Sequence, residues 1–166
     1  MIAQKSGFMP NIFRALGHRP AELRAFLDYH DALMDREDGL GKAERELVVV
    51  ATSGANHCTY CVVAHGAILR IRSRDPQLAD RVAVNPWRAE LNERRRAIVD
   101  LALALTRQPE MFGDADIARA RAADLTEDEI WDVGAITALF AASNRLAHLA
   151  ALQPNPEFYA MGRDER

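Results

Sequence analysis

Glu46, Cys58, Cys61 and His65 are the residues whose types and spacing can do chemistry. Cys58 and Cys61 are the two cysteines of the chain and form one C-x-x-C, with Tyr60 between them. His65 follows the second cysteine by four residues, and Glu46 precedes the first by twelve. Two thiols, a base and an acid in so short a stretch read as a redox site. On a helix over 58–70, Cys58 and Cys61 lie one turn apart, as do Cys61 and His65, so all three share a face. One turn brings two Cα atoms within the roughly 4.4–6.8 Å that a disulfide requires. Asn56 is the expected N-cap, and Ser53-Gly54 breaks whatever precedes it. Unpaired N–H groups and the positive end of the helix dipole favour a thiolate in the first turn. His65 is then better placed as a base for Cys61 than for Cys58, with Glu46 to orient it or pass the proton on.

The same residues have plainer readings. A C-x-x-C can be half of a zinc site, which needs two further ligands. There is no second C-x-x-C, so His57, His65 and Glu46 would have to complete it. A thiolate-ligated iron–sulfur cluster wants four cysteines. Covalent haem attachment wants a histidine directly after the second cysteine, where Val62 stands. Two inert core thiols are the last alternative, but packing does not demand a histidine at this spacing. His30 reads as a flank residue without a role. Asn144 and His148 read as a capped or partly exposed polar patch.

The elements that must position the site read as helices throughout. Pro20 opens one over 20–36 at a position where its missing N–H costs nothing. Residues 42–53 are ambiguous, because Leu47-Val48-Val49-Val50 has strand propensity and Lys42-Ala43-Glu44-Arg45-Glu46 has helix propensity. No other segment offers a strand partner, so the reading is helix. A short helix follows Asp75-Pro76 to about Val84, then a turn at Asn85-Pro86. Further helices cover 90–107, with Arg94, Arg95 and Arg96 mainly towards water, and 114–122. Thr126 and Glu129 form a capping box for a helix running to about Leu152. That helix is apolar on most of its surface, which predicts a central position or burial between subunits. Residues 1–19 and 153–166 are apolar arms, the first with one helical turn at Asn11–Leu16.

The expectation is therefore an all-α helical bundle forming a single domain over 1–166, with a redox core at 44–70. Its 166 residues suit one domain with a real core. With 21 basic and 24 acidic residues and a net charge of -3, there is no electrostatic case for nucleic acid or an anionic membrane. No apolar run is long enough to span a bilayer, and the start lacks a signal-peptide core. A lone C-x-x-C without a disulfide framework points to the cytoplasm, where such a pair cycles rather than staples.

Glu46, eleven residues, Cys58-Thr-Tyr-Cys61, three residues and His65 together resemble the core motif of the alkylhydroperoxidase AhpD family, within the carboxymuconolactone decarboxylase-like superfamily. The segments Asn85-Pro86-Trp87-Arg88-Ala89-Glu90, Leu125-Thr126-Glu127-Asp128-Glu129-Ile130, Asn144-Arg145-Leu146-Ala147 and Asn155-Pro156-Glu157-Phe158-Tyr159 resemble its peroxidase-related branch. The resemblance implies an all-helical fold intertwined in a homo-oligomer, a trimer or hexamer. It implies a peroxidatic Cys61, a resolving Cys58 that closes a Cys58–Cys61 disulfide, and a proton relay of His65 and Glu46. It implies a peroxide substrate and an external dithiol reductant, possible carriers being lipoyl groups, with no metal, flavin or haem required. The best-known AhpD proteins have histidine where Tyr60 stands, so Tyr60, or the adjacent His57, is at most an accessory. A disulfide reductase, a redox sensor and a decarboxylase of the same superfamily are the rival functions.

Overall fold

The computed structural model describes residues 7–163. Residues 1–6 and 164–166, the outer ends of the two arms, lie outside them. Among the described residues there is no strand. The α-helices are α1 (Asn11–Leu16), α2 (Pro20–Met34), α3 (Lys42–Ala55), α4 (Thr59–Ser73), α5 (Leu78–Val84), α6 (Glu93–Arg107), α7 (Asp114–Ala122), α8 (Glu127–Leu149) and α9 (Glu157–Ala160), with a 3₁₀ turn at Pro109–Met111.

The core is built around α3, which packs on α4, α5, α6 and α8. Every residue from Arg45 to Ser53 is buried. That is why the Leu47–Val50 run is helical despite its strand propensity. A helix surrounded by neighbours buries all its faces at once, so β-branched side chains are used on every side. Val48 and Val49 join Ile98, Ile136 and Phe140 in one apolar cluster, while Leu47 and Val50 join Leu69, Val82 and Val99 in another. Gly54 lets α3 approach α5: a Cβ there would lie 3.1 Å from the Ala83 carbonyl oxygen. Arg45 extends from α3 to the loop before it, donating to the carbonyls of Met34, Arg36 and Asp38.

The expected capping box opens α8, with the Glu129 N–H donating to Thr126 Oγ1 at 3.3 Å and the Thr126 N–H to Glu129 at 2.8 Å. Within this chain α8 is one-sided rather than central. Trp131 is 73% exposed and Leu149 84% exposed, while Ile136 and Phe140 face α3. The arginine run of α6 also departs from expectation. Arg94 bridges Glu44 and Glu129, and Arg96 donates to the carbonyls of Pro86 and Ala89. These guanidinium forks tie helix ends together rather than face water.

Both arms fold back on the body of their own chain. Asn155 accepts from the Asn11 N–H at 2.8 Å and donates to the Met9 carbonyl at 3.1 Å. Arg70 on α4 donates to the Phe158 and Met161 carbonyls, and the Phe8 and Phe158 rings meet edge to face. The arms thereby cover the start of α4.

Candidate functional site

The turn between α3 and α4 fixes the first cysteine. His57 adopts a left-handed backbone, φ 53°. The Cys58 N–H donates back to the Ser53 carbonyl at 2.9 Å, and the His57 N–H to Gly54 at 3.0 Å. This is the two-bond pattern of a Schellman stop. Cys58 is at once the residue that closes α3 and the N-cap of α4. The expected N-cap, Asn56, instead ends α3. The reason is the left-handed residue after it, which turns the chain before a new helix can start. Only Cys61 lies within the helix proper. His57 is exposed in the turn.

Both thiols are free and 1% exposed. They sit in a third apolar cluster with Tyr60, Ala64, Ala67, Ala147 and Phe158. Their electrostatics differ sharply. The Cys61 thiol, donating to Cys58, lowers the Cys58 pKa from 9.0 to about 6; burial opposes this, while the Cys61 amide, His148 and Asn144 assist it. Cys61 is pushed well above the usual thiol range, first by that same donation and then by burial. Its sulfur lies 3.9 Å from Ser143 Oγ on α8. Tyr60 is raised to about 12, mainly by burial, and its hydroxyl accepts from the Ile12 N–H. It serves to anchor the N-terminal arm.

On the far side of Cys61, the structure brings His65 and Glu46 together. His65 Nδ1 lies 2.8 Å from Glu46 Oε2. A carboxylate accepts, so Nδ1 carries the proton and Nε2 is the free nitrogen. Glu46 is 2% exposed, and its other oxygen accepts from Arg72 at 3.0 Å. Among the described residues no hydrogen bond joins His65 to either sulfur. The His65 ring packs edge-on to Phe140, with His30 tilted beside it at 6.4 Å between centroids. Sequence reasoning missed Arg72. Its signal was its place two turns beyond His65 on the same helix, and so on the same face.

On the near side, beside Cys58, α8 supplies a polar network. Asn144 is 1% exposed, not part of an exposed patch as expected. It donates to Ser53 Oγ at 3.0 Å and accepts from Asn56 Nδ2 at 2.9 Å. His148 is exposed, with Nε2 3.0 Å from the Asn56 carbonyl. A cavity of about 180 Å³ opens here, its wall including Cys58, Tyr60, His148 and Gln153. Larger clefts of about 230 and 580 Å³ lie along α6 and contain neither thiol. Among the described residues no three His, Cys, Asp or Glu side chains converge as metal ligands, so the zinc arrangement of His57, His65 and Glu46 does not form. No helix among them is long and apolar enough to cross a membrane.

Comparison with known proteins gives the same architecture. Residues 20–85 match the carboxymuconolactone decarboxylase family. A protein of Ralstonia eutropha JMP134, described as an alkylhydroperoxidase AhpD core and an uncharacterized peroxidase-related protein, is 50% identical. It superposes with a TM-score of 0.96 over 99% of this chain and 87% of its own. An uncharacterized peroxidase-related protein of Silicibacter sp. TM1040 is 36% identical, with a TM-score of 0.93 over 97% of this chain and 84% of its own. The debrominase Bmp8, solved with 2,3,4-tribromopyrrole, shares the fold at 19% identity, with a TM-score of 0.82 over 96% of this chain and 84% of its own. No curated protein matches the sequence.

Proposed function

The chain belongs to the AhpD-like carboxymuconolactone decarboxylase superfamily, and from that premise we propose that it reduces hydroperoxides with Cys58 and Cys61 as a redox pair. A fold alone does not choose a substrate, as a debrominase with this architecture illustrates. The observation that carries the reading is local: two free thiols three residues apart, one lowered to about 6 at a helix N-cap, on the same helix as a half-buried histidine held by a buried carboxylate.

The place of Cys58 in the wall of the cavity, together with its lowered pKa, favours it as the attacking sulfur. Its thiolate displaces an alkoxide from ROOH, breaking the O–O bond and forming a sulfenic acid; the alkoxide takes a proton. The Cys61 sulfur then attacks the sulfenic sulfur, releasing water and closing the Cys58–Cys61 disulfide. His65, held by Glu46 and Arg72, takes the Cys61 proton. The family resemblance implies the opposite order, with Cys61 attacking and Cys58 resolving. The low Cys58 value and the cavity at Cys58 support the first order. An external dithiol completes the cycle.

One equivalent of hydroperoxide added to the reduced protein, followed by peptide mass spectrometry, tests this. The wild type is expected to form the Cys58–Cys61 disulfide, and Cys61→Ser to hold a sulfenic acid on Cys58. Sulfenic acid on Cys61 in Cys58→Ser, formed at the wild-type rate, would reverse the order. Thiols that react no faster than free cysteine would remove the peroxidase reading and favour a disulfide reductase or sensor.

A further inference from the structure

The redox pair lies between two histidines, and the relay above uses one. His65 serves the Cys61 side. His148 stands on the other, in the wall of the same cavity as Cys58. Cys61 is not part of that wall, so of the two cysteines it is Cys58 that borders the cavity. The tautomers are complementary. The Asn56 carbonyl can only accept, so His148 Nε2 carries the hydrogen and Nδ1 holds the free lone pair. The bond to Asn56 ties the ring to the turn that carries Cys58, and Asn56 is held in turn by Asn144. Once His148 has taken a proton on Nδ1, the resulting cation favours the Cys58 thiolate.

We propose that His148 is the acid–base group of the reductive half-reaction, in which an external dithiol attacks the Cys58 sulfur of the oxidised pair from this cavity. The proposal rests on the redox-pair reading above. His148 Nδ1 takes the proton of one reductant thiol. The resulting thiolate attacks Cys58 Sγ, the Cys58–Cys61 bond breaks, and the electron pair goes to Cys61, which takes a proton by way of His65. His148 passes that first proton to solvent, which resupplies the one taken up at Cys61, and then takes the proton of the second reductant thiol, whose sulfur attacks the reductant sulfur of the mixed disulfide; this second proton also leaves to solvent. Cys58 leaves as the thiolate, and the reductant departs as a cyclic disulfide. Two electrons pass from dithiol to enzyme. One proton ends on Cys61 and one in solvent.

A base at this step matters only when the incoming thiol arrives protonated. The disulfide is prepared with diamide, so the test does not depend on reaction with peroxide. Its loss at about pH 7 is followed by acid quench and mass spectrometry, with dithiothreitol and with the more acidic trifluoroethanethiol. His148→Gln, and His148→Ala as a second variant, are expected to slow dithiothreitol at least about tenfold and trifluoroethanethiol by less than about twofold. Equal slowing with the two thiols, or none with either, overturns the proposal. A wild type that diamide oxidises and dithiol reduces normally, but that ignores hydroperoxide, would instead remove the peroxidase reading and leave this one standing.

Discussion

Cys58 and Cys61 are three residues apart and equally buried, yet they occupy different environments. Cys58 ends one helix and begins the next, beside a cavity, a buried carboxamide and an exposed histidine. Cys61 is inside the helix, against Ser143, with its sulfur's proton retained. The difference comes from one left-handed residue, His57. By stopping α3 at Asn56 it leaves Cys58 at the cap, where α4 directs its free N–H groups, and lets Cys61 bury itself one turn later.

The most severe way to break the comparison is to remove the retained proton's carrier. Cys61→Ser should lower peroxide turnover with dithiol at least about 1,000-fold, since no intramolecular disulfide can form, while a single oxidation of Cys58 survives. Steady-state turnover set against one-equivalent oxidation would show this. Glu46→Gln should come next, slowing disulfide closure about 100-fold in a quenched-flow assay, because the His65 tautomer is no longer fixed. Removing the cation behind that carboxylate is milder. Arg72→Met should slow closure about fivefold, the effect of one part-buried charge-assisted bond.

The comparison is sharpened by titration. Thiolate absorbance in the reduced protein should show one thiol with a midpoint of about 6 and a second well above the usual thiol range. The linkage has a definite sign. Between about 6 and 9 the unfolded Cys58 binds a proton that the folded one does not, so stability of the reduced protein should rise with pH across that window and lose the contribution as pH falls. Cys61 stays protonated in both states over the lower part of that window and adds no slope there, and towards about 9 its unfolded thiol begins to ionise and opposes the rise. Urea midpoints of wild type and Cys58→Ser across this range should converge near pH 6 in their dependence, and a slope that survives in the variant would assign it to another group. Ser143→Ala is the smallest change, expected within about twofold in rate, because a 3.9 Å contact to sulfur is weak.

Much of this was legible in the chain. The spacing of Cys58, Cys61 and His65 is a local property, and helical periodicity carries it directly to a shared face. Glu46 is the instructive case, since it reaches His65 across two helices and was placed by sequence resemblance and by chemistry together. The N-cap was misplaced because propensity favours Asn, while the structure decides by where the preceding helix stops. Asn144 and His148 carry little signal in the sequence, because an isolated polar residue on an apolar helix has many benign explanations. Only the packing of α8 against the α3–α4 turn makes them neighbours of Cys58. The sidedness of α8 was hidden for a related reason. Trp131 and Ile136 look alike to a hydrophobicity pattern, and their exposures differ completely.

The closure of the arms over α4 has a consequence for the order in which the molecule is made. Phe158 and Met161 cover the cysteine-bearing helix α4, with Asn155 tying the N-terminal arm beside them, and all three are made long after the two cysteines. During synthesis the thiols exist for a time in a nascent chain that cannot yet cover them, because domains complete their packing only once their final segments emerge. A ribosome stalled before Asn155 should present both cysteines to an alkylating reagent, and one stalled after a long C-terminal extension should protect them. The thiols are thus covered late, by a segment far downstream of them in the chain.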